Sequence, residues 1–289
     1  MSQTKSIEEI VKQTPDLPTI PAAALAVMRE SESATSNANS VAKHIAKDQA
    51  LAARVLRLAN SAYYGLAGEV TDLQECVVVL GMRCIRNLSM VAATYPWMIR
   101  PLKGYGLEPK QMWTHSFGVA VAAQRIAKET RACDPDLAFT AGLLHNIGKV
   151  ALSICLEKEL GKVVRLAEMS KISFDEAEKK VLGFDHCEVG EYLGRMWNLP
   201  KPLIAAIRYH HEPNACSPTM PLVDCVHVGD VLTLTMGFGL GGDGLQYCYD
   251  DSVWERLGLE SDQIDEIALK FSEDYLAYEK MFEEMNQAA

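Results

Sequence analysis

At 289 residues, with 48% hydrophobic and 23% charged side chains, the chain is large enough for one large domain or two coupled subdomains with buried cores. Such a composition excludes the disordered, collagenous and coiled-coil classes. The formal charge of -10 repels nucleic-acid phosphate at long range, and no clustered Lys/Arg run offsets it, so no nucleic-acid partner is expected.

Apolar residues recur at three and four along nearly the whole chain and almost never alternate, which predicts an all-α protein. Helices are expected near 6–13, 21–31, 38–47, 49–60, 72–80, 82–98, 109–130 and 135–146. Val77-Val78-Val79 stays open between a strand and a helix of about two turns ended by Gly81. The stretch Arg100 to Gly106, with Pro101, Gly104 and Gly106, is the clearest break. It sets an N-terminal helical subdomain, 1–100, before a C-terminal helical subdomain, 101–289.

The second half continues with helices near 148–156, 158–171, 174–182, 186–196, 201–210, 219–236, 252–257 and 261–284. Asp185 with Glu188 has the spacing of a reciprocal N-terminal cap, and Pro200 and Pro202 close one helix and open the next. The last helix is acidic, with eight Asp or Glu from residue 261 onward against Lys270 and Lys280. Ile264, Ile267, Phe271, Tyr275, Tyr278 and Phe282 form a stripe on it that is expected to pack on the chain's own core. The pattern leaves the oligomeric state open.

Apolar runs such as Val77 to Leu80 and Val119 to Ala123 are shorter than the roughly 18 residues of a membrane span. The first residues hold no apolar signal region, so a cytoplasmic location without membrane contact is expected. The eight cysteines lack C-x-x-C spacing and are expected reduced, without a zinc finger. Gly237 to Gly242 formally matches G-x-G-x-x-G, but a helical pattern precedes it and no helix follows, so it reads as a flexible loop.

Chemistry concentrates in His115, His145, His186, His210 and His211, followed by Asp230. Taken singly, each histidine reads as a hydrogen-bonded core or surface residue. As a set on several helices they read as a site for iron, manganese, nickel or zinc. His227, one turn before Asp230, could join or orient it, or be a plain helical neighbour. Lys149 is a candidate anion-binding group, or simply a charge near a helix start.

The order His115, His145-Asn146, His186, His210-His211, Asp230 resembles that of the HD-GYP phosphodiesterases, metal-dependent hydrolases of cyclic di-GMP. In that likeness Asn146 stands where the metal-bridging Asp belongs, a degenerate ligand position. No Gly-Tyr-Pro follows His211-Glu212, and the first hundred residues have no counterpart there.

Those first residues resemble the HDOD domain instead. The likeness runs through Leu17-Pro18-Thr19-Ile20-Pro21, the stretch from Ile45 to Gly65, and Val79-Leu80-Gly81. In the second half it includes Gly142 to His145, His186 to Gly190, Trp197-Asn198-Leu199-Pro200 and His210 to Pro213, covering roughly residues 15–240. It implies a bacterial signal-transduction module, mostly without catalysis, acting on protein partners and linked to cyclic-nucleotide signalling. With no room for an attached signalling domain, the chain would act in trans. The competing expectation is a metal-dependent phosphohydrolase with an altered ligand set.

The Leu51 to Gly65 segment also has its own reading. Leu51, Val55, Leu58 and Ala62 fall on one helical face, with Arg54 and Arg57 outside it, and Asn60 to Gly65 turns the chain; Tyr63 and Tyr64 are either a recognition surface or packing of the N-terminal bundle.

Overall fold

The computed structural model of the chain describes residues 6–14, 17–238 and 250–287, with the side chains at 261–262 and 282–287 outside the description. Among the described residues the structure is all-α, and the β geometry is one isolated bridge between Leu102 and Leu107. The helices are α1 (Ile7–Lys12), α2 (Ala22–Glu30), α3 (Ala38–Ile45), α4 (Gln49–Ala59), α5 (Leu73–Leu80) and α6 (Met82–Met98). Then come α7 (Gln111–Thr130), α8 (Pro135–Leu144), α9 (Ile147–Cys155), α10 (Glu157–Ser170) and α11 (Phe174–Leu182). The series ends with α12 (His186–Met196), α13 (Lys201–Tyr209), α14 (Pro221–Thr235), α15 (Ser252–Leu257) and α16 (Ser261–Gln287).

Local chemistry explains the boundaries. Asp48, Asp72 and Asp134 each accept from backbone N–H groups in the first turn of α4, α5 and α8. Asp185 and Glu188 form the reciprocal cap expected at the start of α12, with contacts of 2.7 and 2.9 Å. The Val77 region resolves as helix α5, stopped by Gly81 at φ 84°. Phe282 and most of the Gly237 to Gly242 loop lie outside the described side chains or residues.

The helix stops at Ala59 and the chain turns from Asn60 to Gly65 as expected, so Ala62, although in period with Leu51, Val55 and Leu58, is exposed in a short 3-10 turn, 62–64. The cause is Asn60, whose amide donates to Leu56 O at 2.9 Å and Val70 O at 2.7 Å and accepts from Val70 N at 2.7 Å. That clamp turns the chain before another helical turn can form.

Two compact units divide the chain. One holds Met1–Pro18 and Trp97–Leu269, and the other Thr19–Pro96 and Lys270–Ala289. In the second, Leu51, Val55 and Leu58 are buried, and Tyr63 stacks on Tyr278 with ring centroids 4.3 Å apart. Phe271 and Tyr275 of the acidic helix are buried as expected, while Leu269 and Leu276 are exposed.

In the first unit α7 packs on α8 and α14, and α9 on α12. Two glycines set how near these helices come. A Cβ on Gly142 would stand 2.7 Å from Ala120 Cα, and one on Gly148 would overlap the His186 carbonyl. The segment Pro135–Cys155 has the length and mean hydropathy, 1.3, of a membrane span, but 89% of its apolar window is buried inside the fold. That is how a core helix pair behaves.

Candidate metal centre

The helices of the first unit bring every expected ligand into two neighbouring groups. His115 comes from α7, His145 from the end of α8 and Asp230 from α14, and their ligand atoms lie within 4.8 Å of one another. The second group joins His186, the first residue of α12, with Cys187, His210 and His211 from the end of α13. His211 connects the two, with Nδ1 3.7 Å from Asp230 Oδ2 and Nε2 3.2 Å from His186 Nε2.

In the first group His145 Nδ1 lies 2.6 Å from the Gly142 carbonyl, so this nitrogen carries the proton and donates. Its Nε2 lone pair then faces Asp230 Oδ1 at 3.7 Å, while His115 Nε2 stands 3.0 Å from the same oxygen. Ligands about 2.1 Å from a cation sit roughly 3 Å apart, so this spacing fits one ion. The polar atoms around it lack other partners. Asp230 Oδ1, His115 Nδ1 and Asn146 Oδ1 are buried without hydrogen bonds. A cation would satisfy the Asp230 oxygen and accept the His115 Nε2 lone pair, and it would take the His145 Nε2 lone pair once the Asn146 amide that donates to it turns away.

Electrostatics favour ligation. Burial pushes His145 down to about 3, aided by the charges of His115 and Lys149 and opposed by Asp230. Burial and neighbouring imidazoles hold His210 and His211 well below the ordinary histidine range. These three rings are therefore neutral near pH 7. Burial alone would raise the Asp230 carboxyl, yet the contact from His115 outweighs it and holds the carboxyl far below the usual range, so it stays anionic.

Asn146 sits beside the first group. Its amide nitrogen is 2.7 Å from His145 Nε2 and donates to that lone pair. Lys149 on α9 is buried, with Nζ 6.0 Å from the Phe174 ring centroid, and its charge reaches His145 and His211.

Pattern reading missed the residue that orients the second group. Glu178 on α11 is fully buried. It accepts from Tyr105 Oη at 2.6 Å, His186 N at 2.7 Å and His186 Nδ1 at 2.8 Å. That fixes the ring so that His186 Nε2 faces His211 Nε2 at 3.2 Å, the orientation a carboxylate imposes on a metal-binding imidazole. A signal was present: Glu178 lies in phase with the buried Phe174 and Leu182, a carboxylate on an apolar stripe.

His227 orients and does not ligate. Its Nδ1 donates to His210 O at 2.7 Å and its Nε2 accepts from Asp250 N at 3.3 Å. Cys187 Sγ is 3.9 Å from both ring nitrogens of His210, and burial raises its thiol well above the ordinary range.

Among the described residues the protein is all-helical, with two neighbouring groups that could hold a metal ion. The HDOD domain family matches residues 17–213, and the chain belongs to that family. A protein of Treponema pallidum (strain Nichols), described only as uncharacterized, is 30% identical over 226 residues, 77% of this chain and 43% of that one. The chain thus spans less than half of that relative's length. An HDOD domain protein of unknown function from Geobacter sulfurreducens has a similar structure, with TM-score 0.72 and 27% identity over 97% of this chain and 94% of that one. A protein of Marinobacter aquaeolei VT8, provisionally described as a signal transduction protein, shares the fold at TM-score 0.73 and 23% identity, over 96% of this chain and 61% of that one.

Proposed function

We propose that this HDOD protein is a non-catalytic regulator in a bacterial cytoplasmic signalling pathway, acting on partner proteins and keeping a metal ion between His115, His145 and Asp230. Asn146 is the observation that carries the reading. Two-metal phosphodiester hydrolysis generally relies on an anionic bridge that offsets the repulsion of cations about 4 Å apart. Here a neutral amide points its nitrogen at His145 Nε2, 2.7 Å away. Iron, manganese, nickel and zinc all suit two imidazoles and a carboxylate.

Metal analysis of purified protein, paired with hydrolysis assays on cyclic dinucleotides and generic phosphodiesters, tests this. Bound metal that falls on His145→Ala, without turnover in either protein, is expected. Metal-dependent turnover lost in His145→Ala would overturn the non-catalytic assignment, and a metal-free protein would overturn the metal site.

One feature favours a second reading, a metal-dependent phosphohydrolase with an altered ligand set. The second histidine group keeps its orienting carboxylate, Glu178, fully buried. In that case turnover would depend on His186 and Glu178 as well as on His145.

A further inference from the structure

The motif Trp197-Asn198-Leu199-Pro200 is not used by the metal centre. It forms the turn between α12 and α13, with Asn198 in the left-handed region at φ 52°. Beside this turn the two helices line a cleft of about 550 Å³, within the size range of small-molecule sites. Its apolar lining is Leu199, Ile204 and Ala205, and its charged lining is Arg195, Lys201 and Arg208 against Glu191 alone. Asp185 and Glu188 also reach Arg208 electrostatically, but they do not line the cleft, whose lining holds three cations and the one carboxylate of Glu191.

Glu191 holds both guanidiniums in place, 2.6 Å from Arg195 and 3.4 Å from Arg208. Arg208 is steadied further by lying 5.3 Å over the Tyr209 ring. One carboxylate shared by two guanidiniums leaves N–H donors unspent on each, already oriented. Planar N–H forks match the paired oxygens of a phosphate, and Lys201 adds a point charge.

We propose that this cleft binds a small phosphate monoester carrying an apolar group, its phosphate on Arg195, Arg208 and Lys201 and its apolar part against Leu199 and Ile204. None of these residues belongs to either histidine group, so the assignment does not rest on the metal reading.

Isothermal titration of the full chain with phenyl phosphate tests it, with inorganic phosphate and phenol as separate probes. Saturable binding of phenyl phosphate is expected, with inorganic phosphate weaker and phenol silent. The double variant Arg195→Ala, Lys201→Ala changes side chains that are exposed, so the fold is retained, as its circular dichroism verifies. It should bind phenyl phosphate at least about tenfold more weakly, the factor a charge-assisted contact carries. His145→Ala should bind it unchanged, which separates this cleft from a phosphate held at the metal centre. No saturation at about 5 mM, or loss in His145→Ala with retention in the double variant, overturns the proposal. Tighter binding of an oligoglutamate peptide than of phenyl phosphate also overturns it, and points to an acidic protein segment as the ligand.

Discussion

The two histidine groups stand side by side but are built to different standards. Around His186 and His210 the protein supplies its own orienting partners: Glu178 holds one ring, and the Ile207 carbonyl accepts from Nδ1 of the other at 3.0 Å. Around His115, His145 and Asp230 three buried polar atoms are left without hydrogen bonds. The first arrangement is oriented by the protein alone, whereas the second leaves buried polar atoms that a cation could satisfy. The difference teaches that a neutral amide at position 146 is compatible with a pocket whose two groups stay side by side.

The largest effect should come from breaking the framework both groups share. Gly148→Val would drive a side chain into the His186 carbonyl, forcing α9 and α12 apart. A loss of more than about 3 kcal/mol is expected, visible as a large fall in the urea midpoint. Stability near wild type would show that these helices yield more easily than the packing implies.

Next in size is Glu178→Ala, which leaves Tyr105 Oη and His186 Nδ1 without their buried acceptor. About 3 kcal/mol of destabilisation is expected, with Glu178→Gln intermediate because the amide oxygen still accepts. Equal effects of the two variants would mean that charge, not hydrogen bonding, orients His186.

Acidification of the metal-free protein should come third. Unfolded histidines titrate near 6.5, whereas His145 in the fold titrates near about 3 and His210 and His211 well below the ordinary range. Between those limits the unfolded chain binds more protons, so stability is full above the unfolded value and falls as pH drops below it. From pH 7 to 5.5 the loss is about 1 kcal/mol for each of the three rings, read from denaturation curves at each pH. A flat profile would show that these rings are open to protons in the fold.

Much of this was legible from sequence, for physical reasons. Helix periods dominate because nearly every segment buries one face, and the ligands stand out as polar residues amid apolar neighbours, as His145 does after Leu143 and Leu144. What stayed hidden depends on distance in space. Ala62 fits the apolar period of α4 yet is exposed, and the clamp from Asn60 to Val70 that fixes the turn joins residues ten apart. Glu178 lies in phase with an apolar stripe, but its role follows from contacts with Tyr105 and His186 that no local pattern shows. Arg195, Lys201 and Arg208 are spread over fourteen positions and line one cleft because a turn folds two helices beside one another.

The smallest effect on stability, and the most direct probe of the contrast, belongs to Asn146→Asp. The substitution keeps size and helix position, replacing a neutral group next to His145 with an anion where Asp230 already carries charge. In the metal-free protein two carboxylates so close repel, and a change of about 1 kcal/mol is expected. With metal in excess the order reverses, because an anion between the groups offsets the repulsion of two cations and lets the His186, His210 and His211 side bind its own ion. Metal content should rise from one ion toward two, with a matching rise in melting temperature that disappears on adding chelator. If content stays at one, the second group is a self-satisfied cluster of buried rings, and the loss at position 146 was not what separated this pocket from a dinuclear centre.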